Sequence, residues 1–297
     1  MWATPWIKFR DFYSELNQQF YNNSDVRTRD MLFMRRMDGV ILLTISYIIF
    51  TVVGPKLMAN RKAYDLKWPM FAYNVVIALF SLWICLELLI NSWKAGYNYV
   101  CDTYKASYDP HELRVVNAFW WYFVSKAIEF LDTVFMVLKK KNSQITVLHV
   151  WHHSFMFPFL YMATLIGPCG QAIPGPIINS FIHVVMYGYY ALSLFPALHP
   201  YLWWKKYLTQ MQLAQFVILV VSSSYGISIG CDFPHSIAYM QLGFLSTLMI
   251  LFGNFYIQSY IRRKIHPSSS SRRAEGKVTN GKVSHTNGDV SPHRKDL

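Results

Sequence analysis

Apolar residues along the chain collect into runs of about 20, the length that carries a helix across a hydrocarbon core of roughly 30 Å. Seven runs are predicted to span: about 39–58, 69–90, 117–138, 145–166, 175–195, 208–229 and 238–259. The first follows 38 largely polar residues, so it is not a cleaved signal peptide. The expected organisation is a segment over 1–38, a seven-helix transmembrane domain over 39–262 and a tail over 263–297. That tail is rich in Ser, Gly, Asn and Lys, almost lacks apolar residues, and is expected to be disordered. The fold class is an all-α polytopic membrane protein.

Composition agrees. Hydrophobic residues make up 53% of the 297 positions and charged residues 15%, against roughly 25% charged in soluble domains. The charge that remains is ordered. Lys and Arg concentrate in alternate loops: Arg61, Lys62 and Lys67; then Lys139, Lys140 and Lys141; then Lys205 and Lys206. The chain after Tyr260 adds nine basic residues against three acids. The intervening loops are balanced or nearly uncharged. Basic loops stay on the cytosolic side, which predicts a lumenal N-terminus and a cytosolic C-terminus. The net charge of +12 is then topology rather than nucleic-acid binding. Cys101, Cys169 and Cys231 fall in the predicted lumenal loops, where disulfides form, and Cys85 lies within a span. The sequon Asn22-Asn23-Ser24 is on the same side. The chain ends "HRKDL", with Arg294 and Lys295 placed as in a dilysine-like retrieval signal.

Polar residues inside spans change the picture most. Each is costly in a bilayer, so each is a functional candidate. The third span holds Lys126, Glu129, Asp132 and Thr133 in "SKAIEFLDTVF". On a continuous helix Lys126, Glu129 and Thr133 cluster, with Asp132 at the edge. A Lys126–Glu129 ion pair at i,i+3 is the structural reading, and it is compatible with lining a site. The fourth span opens with "LHVWHHSF", which puts His149, His152 and His153 within about 100° of arc. In the fifth, "NSFIHVVMYGYY" sets Asn179, His183, Tyr187 and Tyr190 on one face. The sixth begins "TQMQLAQF", with Thr209, Gln212 and Gln215 at three-residue steps. Four helices turning polar stripes inward imply an enclosed polar chamber.

Two chemistries fit a histidine box. Membrane di-iron desaturases and hydroxylases use HxxHH, but they need about eight histidines in several boxes. Here only four of ten histidines lie in spans, and there is no second box. The other chemistry is nucleophilic: a neutral imidazole attacks near pH 7, and Asn, Gln or Tyr groups orient it or receive an oxyanion. No cysteine sits beside the box to serve instead. A seven-helix transporter is a third class, less suited to these charged groups behind a lysine-rich mouth.

The motifs "KAIEFLDT", "HVWHH", "NSFIHVVMYGYY" and "TQMQLAQF", with "YLWWKKYLT" between the last two, resemble those of the very-long-chain fatty acid elongases. The resemblance runs from about Met31 to Arg263. It implies six helices closed around an acyl tunnel, with the first helix outside. It implies an endoplasmic-reticulum enzyme that condenses fatty acyl-CoA with malonyl-CoA, with no metal or redox cofactor. The family reading makes His152 the acyl carrier and His183 its assistant, with His149, His153 and Asn179 orienting or polarising. Lys126, Glu129, Asp132, Tyr187, Gln212 and Gln215 would line the site, and Lys139, Lys140, Lys205 and Lys206 would attract CoA phosphates. Implied partners are the two CoA thioesters, membrane lipid, other enzymes of the elongation cycle and a second copy of the chain. The family also tends to tie the loops after spans two and six, which favours a Cys101–Cys231 disulfide with Cys169 as competitor. Two positions depart from the pattern. Trp151 stands where Tyr or Phe is common, which is expected to narrow the chamber, and Ser222 stands where many relatives have His. Gln144, five residues before His149, resembles elongases of polyunsaturated and very long saturated chains.

Overall fold

A computed structural model of the chain describes residues 3–104 and 106–262. The expected tail over 263–297, with Arg294 and Lys295, lies outside them. Nine α-helices run in order among the described residues, and no strand occurs. They are α1 (Ala3–Asn22), α2 (Asp38–Leu57), α3 (Lys67–Lys94), α4 (Pro110–Ile128), α5 (Leu131–Leu138), α6 (Val147–Ile166), α7 (Pro174–Ser193), α8 (Lys205–Ser228) and α9 (His235–Tyr256). Four segments are long and apolar enough to cross a membrane: α2, α3, α8 and His235–Ser259. The helices α4, α6 and α7 are not among these segments. Compact packing divides the chain into Met1–Gly253 and Asn254–Leu297, and everything below concerns the first of these.

Local chemistry sets the helix starts that matter. Asp109 caps α4, accepting from His111 N at 2.8 Å and Glu112 N at 3.4 Å, with Pro110 at the first helical position. Thr146 caps α6 by accepting from His149 N at 3.2 Å. That cap fixes the first box histidine in the opening turn of the helix.

The predicted third span is not one helix. It divides into α4 and α5 around Glu129 and Phe130, without proline or glycine. Three successive bonds there close over three residues instead of four: Phe130 N to Ala127 O, Asp132 N to Glu129 O and Thr133 N to Phe130 O. The overwound turn rotates everything after it, so Asp132 and Thr133 face different partners from Lys126 and Glu129. The expected polar face of α7 is also narrower, because Tyr190 is 41% exposed.

The core joins α2, α4 and α6 through Tyr47, Phe119, Tyr122, Phe123, Phe130, Phe157 and Tyr161. Phe123 stacks on Phe157 at 4.9 Å and Tyr47 on Phe130 at 4.4 Å. A second cluster joins α8 to α9 through Phe216, Leu219, Phe244, Leu245 and Leu248.

One end of the bundle is bound by loops. Cys101 and Cys231 form a disulfide with Cα atoms 5.6 Å apart across 130 residues. Arg27, buried ahead of α2, pairs with Asp25 at 2.6 Å and Glu112 at 3.4 Å, and donates to Ser107 O and to Cys169 Sγ. Tyr104 donates to Asp25, and Tyr97 to Glu112. Burial alone would raise the Asp25 carboxyl, but the hydrogen bonds from Arg27 outweigh it and hold that carboxyl below its ordinary value.

Gly170 sits in this layer with φ +61°, and an added Cβ would stand 2.8 Å from the Thr103 carbonyl oxygen. Gly96 has φ +75° with nothing near. The left-handed conformation costs a side chain about 1–2 kcal/mol, and Gly170→Ala adds a clash with backbone. Gly170→Ala should therefore lower the thermal midpoint in detergent more than Gly96→Ala does. Equal shifts would show that the Thr103 loop yields freely.

Candidate active site

The overwound turn sets three buried groups on one side. Lys126 Nζ donates to Glu129 Oε1 at 2.6 Å and to Asn179 Oδ1 at 3.2 Å, and it approaches His183 Nε2 to 3.3 Å. It also lies 4.6 Å from the Tyr122 ring centroid, a cation–π contact. His183 Nδ1 is 2.9 Å from the Asn179 carbonyl oxygen. A carbonyl only accepts, so Nδ1 carries the proton and Nε2 turns its lone pair toward Lys126. Glu129 Oε2 stands 3.6 Å from the same Nε2. Tyr122 donates to Asn179 Oδ1 at 2.8 Å, so one amide oxygen gathers α4 and α7.

The other side of the turn holds a relay. Thr133 Oγ1 bonds His149 Nε2 at 2.7 Å, and Tyr47 O–H bonds Thr133 at 3.2 Å. This fixes the His149 ring from α5 and α2. His153 is buried beside it, with ring centroids 4.5 Å apart, and packs against Tyr47 and Phe130. Asp132 faces α7 as Glu129 does: Tyr187 O–H donates to it at 2.7 Å, and that ring lies 5.8 Å from His183. Tyr73 packs edge-on against that Tyr187 ring.

His152, like His153, makes no hydrogen bond with any described residue, and their rings meet at 5.0 Å; of the three box histidines it is the one that lines a cavity. The cavity is narrow, with a volume of about 50 Å³, and lies between α4, α6, α7, α8 and α9. Asn179, Tyr122 and Gln215 share its wall with His152, and Phe159, Phe216, Leu219, Phe244 and Leu248 make the rest largely apolar. The walls are apolar, with polar groups confined to a few positions, as in small-molecule sites generally.

The remaining expected residues are dispersed. Gln212 donates to Met186 Sδ at 3.6 Å, whereas Gln215 is buried against the cavity. Lys140 Nζ is bound to the carbonyls of Ala59 and Arg61, and it ties α5 to the loop after α2. Lys205 and Lys206 are exposed in the first turn of α8, and Lys139 is half-buried. Trp151 does not narrow the chamber. Its indole N–H donates to Thr247 at 2.9 Å and its ring packs on Phe155, away from the cavity wall. Reading the sequence missed Tyr122, Tyr47 and Gln241. The two tyrosines pass for core aromatics until the hydroxyl is placed. Gln241 lines the cavity from α9 and donates to Ser223, and a single glutamine in an apolar run gave no signal. Among the described residues no group of three His, Cys, Asp or Glu side chains converges as metal ligands would.

Fold and site together define a helical membrane protein with a cavity that one histidine, His152, lines. Residues 32–268 match the GNS1/SUR4 family, also called ELO. The chain is 41% identical over 261 residues to very long chain fatty acid elongase 2 of Mus musculus, covering 87% of this chain and 89% of that one. It is 41% identical over 279 residues to very long chain fatty acid elongase 5 of Tachysurus fulvidraco, covering 92% and 94%. Very long chain fatty acid elongase 5 of Xenopus tropicalis is 42% identical over 267 residues. The chain belongs to this family of very-long-chain fatty acid elongases, as its motifs led one to expect.

Proposed function

We propose that the chain condenses a long-chain fatty acyl-CoA with malonyl-CoA, giving a 3-ketoacyl-CoA two carbons longer, free CoA and CO2. A His152 ring nitrogen attacks the thioester carbonyl, the C–S bond breaks, and CoA leaves as the protonated thiol. The acyl group is then held as an acyl-imidazole. Malonyl-CoA loses its carboxylate as CO2, and the carbanion left behind attacks the acyl carbon. The C–N bond breaks, and the departing imidazole nitrogen takes up one proton from solvent, which returns neutral His152. The observation that carries this reading is that, among the described residues, His152 alone in the box both lacks a hydrogen-bond partner and lines the cavity, whereas His149 is held by Thr133 and His153 lies off the cavity wall. A ring nitrogen whose lone pair already faces a donor, as His183 Nε2 faces Lys126 at 3.3 Å, would be a poorer nucleophile.

In this reading α4 with α5, α6 and α7 complete seven spans with the four apolar segments. Six of the seven enclose the acyl tunnel, and the cavity is its interior. The protein resides in the endoplasmic-reticulum membrane, N-terminus lumenal and C-terminus cytosolic. The Lys126–Glu129–His183 cluster steadies charge near the reacting carbonyl. Purified chain in lipid, given long-chain acyl-CoA and carboxyl-labelled malonyl-CoA, should release labelled CO2 and form the 3-ketoacyl-CoA in equal amounts. CO2 release without chain extension would overturn the condensation.

Lys139, Lys205 and Lys206 are then the charges that meet CoA phosphates, while Lys140 is pinned to Ala59 and Arg61. Replacing those three by Gln should raise KM for malonyl-CoA several-fold, leave kcat unchanged and flatten the salt dependence of KM. An unchanged KM would leave these lysines a purely topological role.

A further inference from the structure

We infer that α1 is an interfacial helix whose aromatic stripe enters the lipid at the bilayer surface. At 100° per residue, Trp6, Phe9, Phe12, Tyr13, Leu16 and Phe20 fall within about 120° of arc. Lys8, Arg10, Asp11, Ser14, Glu15 and Gln18 lie outside that arc, and Ile7 is the one large aliphatic residue among them. The stripe is used in two ways. Its second half, Tyr13, Leu16 and Phe20, is half-buried against the body. Its first half stands clear, with Trp6 70%, Phe9 57% and Phe12 63% exposed. Trp6 and Phe9 stack at 5.9 Å, and Phe9 and Tyr13 at 6.3 Å, so the exposed rings form one continuous surface.

The height of this stripe in the molecule identifies its partner. Tyr13 O–H donates to Asp38, the first residue of α2, and Asn17 Oδ1 accepts from Met37 N at 3.3 Å. Asp38 begins a helix long and apolar enough to cross a membrane. Within one turn beyond it that helix shows lipid-facing residues, with Ile41 44% and Leu42 68% exposed. The end of a spanning helix marks the membrane surface, so α1 is held at that level. Trp and Tyr favour this layer, where a ring is half in hydrocarbon and half in water. An amphipathic helix seats its apolar face roughly 5–10 Å into the boundary. The two bases and two acids of α1 cancel, so a zwitterionic surface suffices.

The test uses the full chain in phosphatidylcholine vesicles. Cysteine is introduced singly as Trp6→Cys, Phe9→Cys, Phe12→Cys, Ser14→Cys or Gln18→Cys and carries a nitroxide. Cys85 and Cys169 are buried and Cys101 is bonded to Cys231, so wild-type chain gives the labelling background. Power saturation should show the labels at 6, 9 and 12 more accessible to oxygen than to a water-soluble nickel complex, and those at 14 and 18 the reverse. Water-like accessibility at all five positions would overturn the inference. So would dipolar broadening at 6, 9 and 12 that disappears on dilution with unlabelled chain, because a second copy would then cover the stripe.

Discussion

His152→Ala should abolish release of CoA from acyl-CoA supplied alone, by at least about 10³-fold, and leave no acyl mass on the protein. The side chain makes no hydrogen bond whose loss would loosen the bundle, so the variant should fold and keep its thermal midpoint. That separates chemistry from stability at this position. His149→Ala is the useful contrast. It removes the partner of Thr133 and leaves a buried hydroxyl with only Tyr47, so both midpoint and rate should fall. Partition of the two effects between two positions of one box is the signature expected of one nucleophile among positioning neighbours. If His152→Ala protein still releases CoA and acquires acyl mass on another residue, the nucleophile is misassigned and the cavity-lining ring has a different purpose.

The helices were legible because apolar runs of about 20 residues mark them, and α2, α3, α6, α7, α8 and α9 begin and end within about four residues of the expected runs. The division of α4 from α5 was not. No breaking residue marks it. It arises from bonds that helices distant in sequence supply: Asn179 and His183 hold Lys126 and Glu129 on one side, and His149 holds Thr133 on the other. A reading by periodicity carries Thr133 along with Lys126 and Glu129, whereas the tighter turn sends it to His149 and Tyr47. The same limit applies to Trp151. Its position beside the box suggested a chamber wall, but which way an indole points depends on a hydroxyl of α9. Histidine identities were legible and their inequality was not. Three histidines on one stripe are equivalent until neighbours from α2, α5 and α7 engage some of them.

The second large effect concerns the Lys126–Glu129 pair. Both side chains are nearly inaccessible, at 3% and 2%, and breaking such a pair costs about 3–5 kcal/mol because one charge is left buried and uncompensated. Glu129→Gln and Lys126→Met should each lower the midpoint by an amount of that order, or prevent accumulation of folded protein. The double variant removes both charges, and replacement of a buried pair by neutral groups of similar size is often neutral. It should recover most of the loss, with strong coupling between the two positions in a double-mutant cycle. Activity should not recover with it. His183 Nε2 faces Lys126 at 3.3 Å and Asn179 Oδ1 faces the same ammonium at 3.2 Å, and a methionine at 126 offers neither group a donor. A folded, stable double variant that turns over slowly therefore assigns the pair to charge placement at the reacting centre. One that regains both midpoint and kcat would make the pair a packing element only, and the role of His183 would have to be sought without it.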